Sequence, residues 1–203
     1  MRRPRIAVIG DTALIDGELT DAGAIATELA LLDRADVGFR SVAADRTARE
    51  RLEARFGRTS VTTWLTVREH DAPEADGSPH ADLRMGDPID IAEIFDHDVV
   101  VLGCRDVRLR RFLADLPVHT RPDVRILAVL HFEDGVPDGE RVEDVLRFDT
   151  IIGNEIDFQR WGASSDLHIT TDGDAAVMAR LHRRMHGTNV RALVSWGTQG
   201  AAT

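Results

Sequence analysis

Short apolar runs alternate with amphipathic stretches along most of the chain. Arg5 to Gly10 (RIAVIG), Asp98 to Gly103 (DVVVLG) and Arg125 to Glu133 (RILAVLHFE) are aliphatic with little polar alternation, which predicts strands buried on both faces. Ala35 to Asp45, the apolar run after Asp149 and the stretch from Asn189 read as further strands. Between them lie helical patterns. Asp21 to Arg34 has an apolar face through Ile25, Leu29 and Leu32, and Arg46 to Gly57 is amphipathic and closed by Gly57. Further helices are predicted from Val107, from Glu140 and over Asp174 to Gly187. Such alternation predicts an α/β fold, a mainly parallel sheet with helices on both faces. Val61 to Glu69 and His80 to Met85 differ. In the first, Thr63, Leu65 and Val67 alternate with Thr62, Trp64 and Thr66, as in a two-faced sheet, and a polar loop joins the two segments.

Length and composition narrow this picture. The 203 residues suit one domain spanning 1–203. Hydrophobic residues make up 43% and charged ones 30%, the balance of a soluble globular protein, and no apolar run is long enough to span a membrane. The basic start Met1-Arg-Arg-Pro-Arg precedes an apolar run, Ile6 to Ile9, too short for a signal peptide. A net charge of -10 argues against a general nucleic-acid binder. All 25 basic residues are Arg, so a lysine nucleophile, Schiff base or P-loop lysine is excluded. The single cysteine, Cys104, excludes an intramolecular disulfide and a multi-cysteine zinc site. Following an apolar run, it reads as a buried inert thiol, and the expected compartment is cytoplasmic.

Candidate chemistry gathers where strands hand over to helices. Asp11 and Asp16 follow the first strand, where open α/β sheets bind ligands. Asp149 to Gly162 passes from an apolar run to an acidic helix start. It sets Asn154 at the strand end or N-cap and Asp157 one turn later, a pair suited to magnesium, water and phosphate. A carboxylate in a first helical turn is also simply good capping, stabilising by about 0.3–1 kcal/mol. Gly197 and Gly200 follow the last strand in a turn whose bare backbone suits a nucleotide phosphate.

Other groups carry less. His70, Asp71, Glu74, Asp76 and His80 lack regular metal spacing and read as a solvated loop. His131 reads as a structural histidine at a strand end. His182 and His186 have the i, i+4 zinc spacing, but Arg183 stands where a metalloprotease needs Glu. Gly10 is followed by DTALIDG, which lacks the three-glycine dinucleotide fingerprint.

Asn-x-x-acid at one βα junction, then Val194-x-x-Gly197-x-x-Gly200 after the next strand, resembles the ribokinase-like (PfkB) family of carbohydrate and nucleoside kinases. Ala35-Asp-Val-Gly-Phe39 resembles a further passage of that family. The resemblance implies ATP-dependent phosphoryl transfer to a hydroxymethyl group of a sugar or nucleoside-like alcohol, with ATP and Mg2+ as cofactors. Asp16 would hold substrate hydroxyls, and Asn154 and Asp157 would order phosphate and magnesium-bound water without a direct metal ligand. Ser195, Gly197 and Gly200 would line the nucleotide. Residues 61–85 would supply a small β-rich lid through which subunits form a homodimer.

The sequence also departs from that pattern. Thr20-Asp21-Ala22-Gly23 and Ile25 replace a Gly-Gly pair and an Asn, and His131-Phe-Glu133 replaces Asp-x-Asn. Asp157 replaces the family's Glu. The Gly-Ala-Gly-Asp segment is absent, so no catalytic residue is assigned and the 1–203 domain is expected to be C-terminally incomplete. The alternative is a catalytically inactive relative that binds a small metabolite or a partner subunit.

Overall fold

The computed structural model describes residues 2–68, 79–116, 123–130, 148–154 and 157, and the backbone of 191–195 and 201–202. They fall into two compact units, Met1–Arg125 and Ile126–Thr203. The first is built on four parallel strands in the order β7 (Val99–Gly103), β1 (Arg5–Gly10), β4 (Asp36–Ala43), β5 (Thr62–Val67). Helix α1 (Asp21–Leu31) joins β1 to β4 and α2 (Arg46–Phe56) joins β4 to β5, while the short α3 (Ile91–Phe95) leads back to β7. Helix α4 (Val107–Asp115) follows β7.

Strand periodicity shows helices on both faces. Phe39 of β4 stacks on Phe56 of α2, ring centroids 4.8 Å apart. Its neighbour Arg40 points the other way, pairing with Glu93 of α3 and lying 5.5 Å over Trp64, the residue facing it on β5.

The edge of β4 has two partners in succession. Arg5–Ile9 of β1 cover Asp36–Arg40, and then β6 (His80–Asp82) pairs antiparallel with Val42 and Ala43. Strand β6 also pairs with β2 (Thr12–Ile15), which forms a hairpin with β3 (Glu18–Leu19). The small β-rich layer is therefore β3–β2–β6. Of the expected lid segment 61–85, β6 belongs to this layer, whereas β5 runs parallel to β4 inside the main sheet. The hairpin turns on Asp16 (φ 51) and Gly17 (φ 84). An Asp-Gly pair with both φ positive suits a tight two-residue hairpin loop.

Packing on α1 corrects the pattern-based expectation. Ala22, Gly23, Ala26 and Ala30 are its buried residues, while Ile25 and Leu29 are only half-buried and Leu32 is exposed. Small residues win because the helix start approaches the sheet too closely for large ones. A Cβ on Gly23 would lie 2.2 Å from Thr12 Oγ1. The same crowding fixes Gly10, where a Cβ would lie 2.3 Å from the Gly103 carbonyl carbon.

In the second unit, β8 (Arg125–Val129), β9 (Thr150–Asn154) and β10 (Arg191–Ser195) run parallel, and β11 (Ala201–Ala202) is antiparallel to β10. The helices predicted from Glu140 and over Asp174 to Gly187 lie outside the described residues, apart from Phe148.

A Gly10→Ala chain should lose about 2–3 kcal/mol of unfolding free energy in urea, because backbone rather than a flexible side chain opposes the new methyl. Gly17→Ala, with nothing within 4 Å of the new Cβ, should lose only about 1–2 kcal/mol from its left-handed backbone. A larger loss at Gly17 would contradict the crowding at Gly10.

Candidate functional site

Strand β1 is where the connections change direction: the chain steps from it to β4 and later returns to β7 on its other side. A crevice opens outside the carboxyl ends of strands at such a switch point. Here it is a cleft of about 580 Å³, lined among others by Asp11, Asp21, Asp82, Arg84, Arg105 and Asp106. Each element delivers its residue by strand or helix termination. Asp11 directly follows β1, Arg105 and Asp106 follow β7, Asp21 begins α1, and Asp82 ends β6.

Asp11 is the most buried of these carboxylates, 8% exposed. Its Oδ1 accepts the Leu83 N–H at 3.1 Å and its Oδ2 the Arg105 N–H at 2.9 Å, with Arg105 Nε 4.0 Å away. Burial is the stronger influence, and despite those donors it pushes the carboxyl up to about 6. Arg105 also reaches Asp21 at 3.7 Å, and Asp21 accepts the Thr20 hydroxyl at 2.9 Å. The backbone of Asp21 is left-handed, φ 48, a conformation that glycine takes readily and that Asp tolerates better than most residues.

Asp82 faces a different environment. Burial raises its carboxyl, but hydrogen bonds from Arg68 and Arg84 outweigh that and hold it below the usual range. Arg68 bridges Asp82 and Asp87, each at 2.8 Å, and so ties the end of β5 to the segment after β6. Asp106 caps α4 through Oδ1, which accepts the Arg108 and Leu109 N–H groups, while its Oδ2 accepts the Met85 N–H at 2.9 Å. Cys104, directly after β7, is buried and burial pushes its thiol up to about 12, which makes it inert as a nucleophile.

Asp16, the expected substrate carboxylate, is exposed at the hairpin turn, and the cleft lining includes Ile15 rather than Asp16. Asp11 is the carboxylate that stands at the strand end and lines the cleft. The distinguishing signal was position: Asp11 is the first residue past a buried strand. Of the loop acids and histidines, His80 lines the cleft, while His70, Asp71, Glu74 and Asp76 lie outside the described residues. So do His131, His182 and His186.

In the second unit, Asn154 and Asp157 make a reciprocal capping box. The Asn154 N–H donates to Asp157 Oδ2 at 3.0 Å, and the Asp157 N–H donates to Asn154 Oδ1 at 2.8 Å. Asp157 is 3% exposed, whereas Asn154 is exposed. Ser195 stands beside Asn154 in register, so both lie at the carboxyl ends of neighbouring parallel strands. Gly197 and Gly200 lie outside the described residues. No group of three or more His, Cys, Asp or Glu that could hold a metal occurs among the described residues. The side-chain oxygens of Asn154 and Asp157 are of the hard type that a magnesium ion meets through its retained water. No helix among the described residues is long and apolar enough to cross a membrane.

No protein-family model and no curated protein matches the sequence. Solved structures do match in fold. The PfkB protein from Polaromonas sp. JS666 superposes with TM-score 0.63 at 14% identity, over 98% of this chain and 79% of that one. Ribokinase from Giardia lamblia gives 0.62 at 12%, over 98% and 71%. Ribokinase from Cryptococcus neoformans var. grubii serotype A, solved with ADP, gives 0.60 at 13%, over 98% and 75%. The chain has the ribokinase-like fold found in carbohydrate kinases.

The raised Asp11 carboxyl makes stability pH-dependent in a defined sense. Between its ordinary 3.8 and about 6 the folded chain binds more protons than the unfolded one, so stability falls as pH rises through that window and is flat above it. Relative to Asp11→Asn, the parent should lose on the order of 3 kcal/mol between pH 4 and pH 7 in urea unfolding. Parallel pH profiles would contradict the burial of this charge.

Proposed function

We propose that the chain is a carbohydrate kinase of the PfkB type, transferring the γ-phosphoryl group of ATP to a hydroxymethyl group of a sugar or nucleoside-like alcohol. The observation that carries this reading is the carboxylate-lined cleft at the switch point of a ribokinase-like fold. A carboxylate has about four lone-pair sites, and two of those on Asp11 are used by backbone amides. Asp11 lines the cleft, and in this reading its remaining lone pairs accept acceptor hydroxyls. This gives Asp11 the role that the sequence resemblance gave to Asp16. Arg105 lies between Asp11 and Asp21, 4.0 Å from the first carboxylate and 3.7 Å from the second, where it can donate to an entering polyol.

The nucleotide side rests on the second unit. Ser195, Gly197 and Gly200 line the nucleotide in this reading, and Asn154 and Asp157 order phosphate and magnesium-bound water. Magnesium supplies charge neutralisation at the transferring phosphoryl group. Asn154 serves through its exposed side-chain amide, since its carbonyl oxygen and one Asp157 oxygen are spent in the capping box. No catalytic base is assigned.

That spent pair favours the second reading, a relative that binds a small metabolite or a partner subunit and transfers nothing. Lid pairing between subunits belongs to the first reading as a homodimer through β2, β3 and β6.

Mg-ATP separates the two. A kinase should be stabilised by RT ln(1 + [L]/Kd), about 2.7 kcal/mol at a hundredfold excess over Kd. It should also release ADP in a coupled assay only when an acceptor such as ribose, fructose or adenosine is present. Asp11→Ala should keep the Mg-ATP stabilisation and lose the response to acceptor. Stabilisation by a sugar with no response to Mg-ATP would favour the non-catalytic reading.

A further inference from the structure

We infer that Asp106 is a positioning residue of the acceptor cleft, clamping the wall segment Leu83–Met85 to the start of α4. The inference rests on the kinase reading for what the cleft holds. The clamp itself rests on geometry.

The wall leaves β6 at Asp82 and carries Leu83 and Arg84 into the cleft lining. Beyond it the chain is open: Met85 is exposed, and nothing lies within 4 Å of a Cβ built on Gly86, whose φ is 103. The buried Leu83 side chain anchors the start of the wall, and from Arg84 onward the segment is held by directed bonds. On one side Asp87 holds it locally, accepting the Arg84 N–H at 2.8 Å and pairing with Arg68. Across the cleft, two carboxylates tie it to the segment after β7. Asp11 joins the Leu83 N–H to the Arg105 N–H, and Asp106 joins the Met85 N–H to the first amides of α4.

Capping alone does not explain the residue type. Ser, Thr and Asn cap a helix about as well as Asp, using one oxygen. Only a carboxylate offers a second acceptor oxygen without a donor beside it, and that oxygen is the one on Met85. Burial raises the Asp106 carboxyl, but the Met85, Leu109 and Arg108 amides outweigh it and hold it below the usual range. The clamp is therefore ionised at neutral pH. The charge of Arg108, on its own helix, adds to this.

Asp106→Asn separates the two jobs, because the amide carbonyl still caps α4 while the NH2 group cannot accept from Met85. In hydrogen exchange on the full chain, amides 83–87 should exchange about tenfold faster than in the parent, the worth of one charge-assisted hydrogen bond, with 107–115 unchanged. Asp106→Ser, a second one-oxygen cap, should behave alike and guards against a variant that fails to fold. In the coupled assay, KM for ribose, fructose or adenosine, whichever the parent accepts, should rise about tenfold, with KM for ATP unchanged. Unchanged exchange at 83–87, or faster exchange spread through 107–115, overturns the clamp. If the parent releases no acceptor-dependent ADP, the kinase reading fails, while the exchange result still decides the clamp.

Discussion

A charge taken out of water governs the first unit. Asp11 sits where β1 ends, and a buried carboxylate is tolerated only when donors replace the water it has lost. The fold supplies those donors from two separate segments, Leu83 and Arg105. Each donor is available only because the backbone comes close. Gly10 lets the end of β1 lie against Gly103 of β7, which brings Arg105 alongside Asp11, and Gly23 lets α1 begin against Thr12. The Ala22 N–H then bonds the Asp11 carbonyl. Strain and desolvation thus collect at one end of one strand, where a ligand can make use of them.

The second unit treats its polar pair in the opposite way. Asn154 and Asp157 satisfy each other through backbone and side chain without a ligand. The Asp11 cleft keeps a perturbed carboxyl with lone pairs to spare, whereas the Asn154–Asp157 box leaves little unsatisfied. Perturbed groups in a cleft point to chemistry more strongly than satisfied caps do.

The sequence was legible wherever burial alone decides structure. The aliphatic runs of β1, β7 and β8 declared parallel strands, Arg46 to Gly57 declared α2, and the continuous α/β alternation declared the sheet. It was misleading where close packing overrides hydrophobicity, as in α1, whose Ala and Gly stripe rather than Ile25, Leu29 and Leu32 meets the sheet. It was silent where a few residues pair over long distance. The β2–β3 hairpin has an Asp-Gly turn, but its partner β6 lies more than sixty residues later, and no local period reports that pairing. The same gap left the surroundings of the two acids after β1 unread. Asp11 differs from Asp16 in sequence only by standing directly after the buried strand, and the paths of β6 and β7 past the end of β1 bury the first and leave the second in solvent.

A crystal structure of the full chain with a bound polyol, such as ribose or glycerol at saturating concentration, tests the central claim most directly. The account predicts a polyol hydroxyl within hydrogen-bond distance of the Asp11 carboxylate, between Leu83 and Arg105. A polyol bound in other places, with the Asp11 carboxylate facing only its two backbone amides, would contradict it.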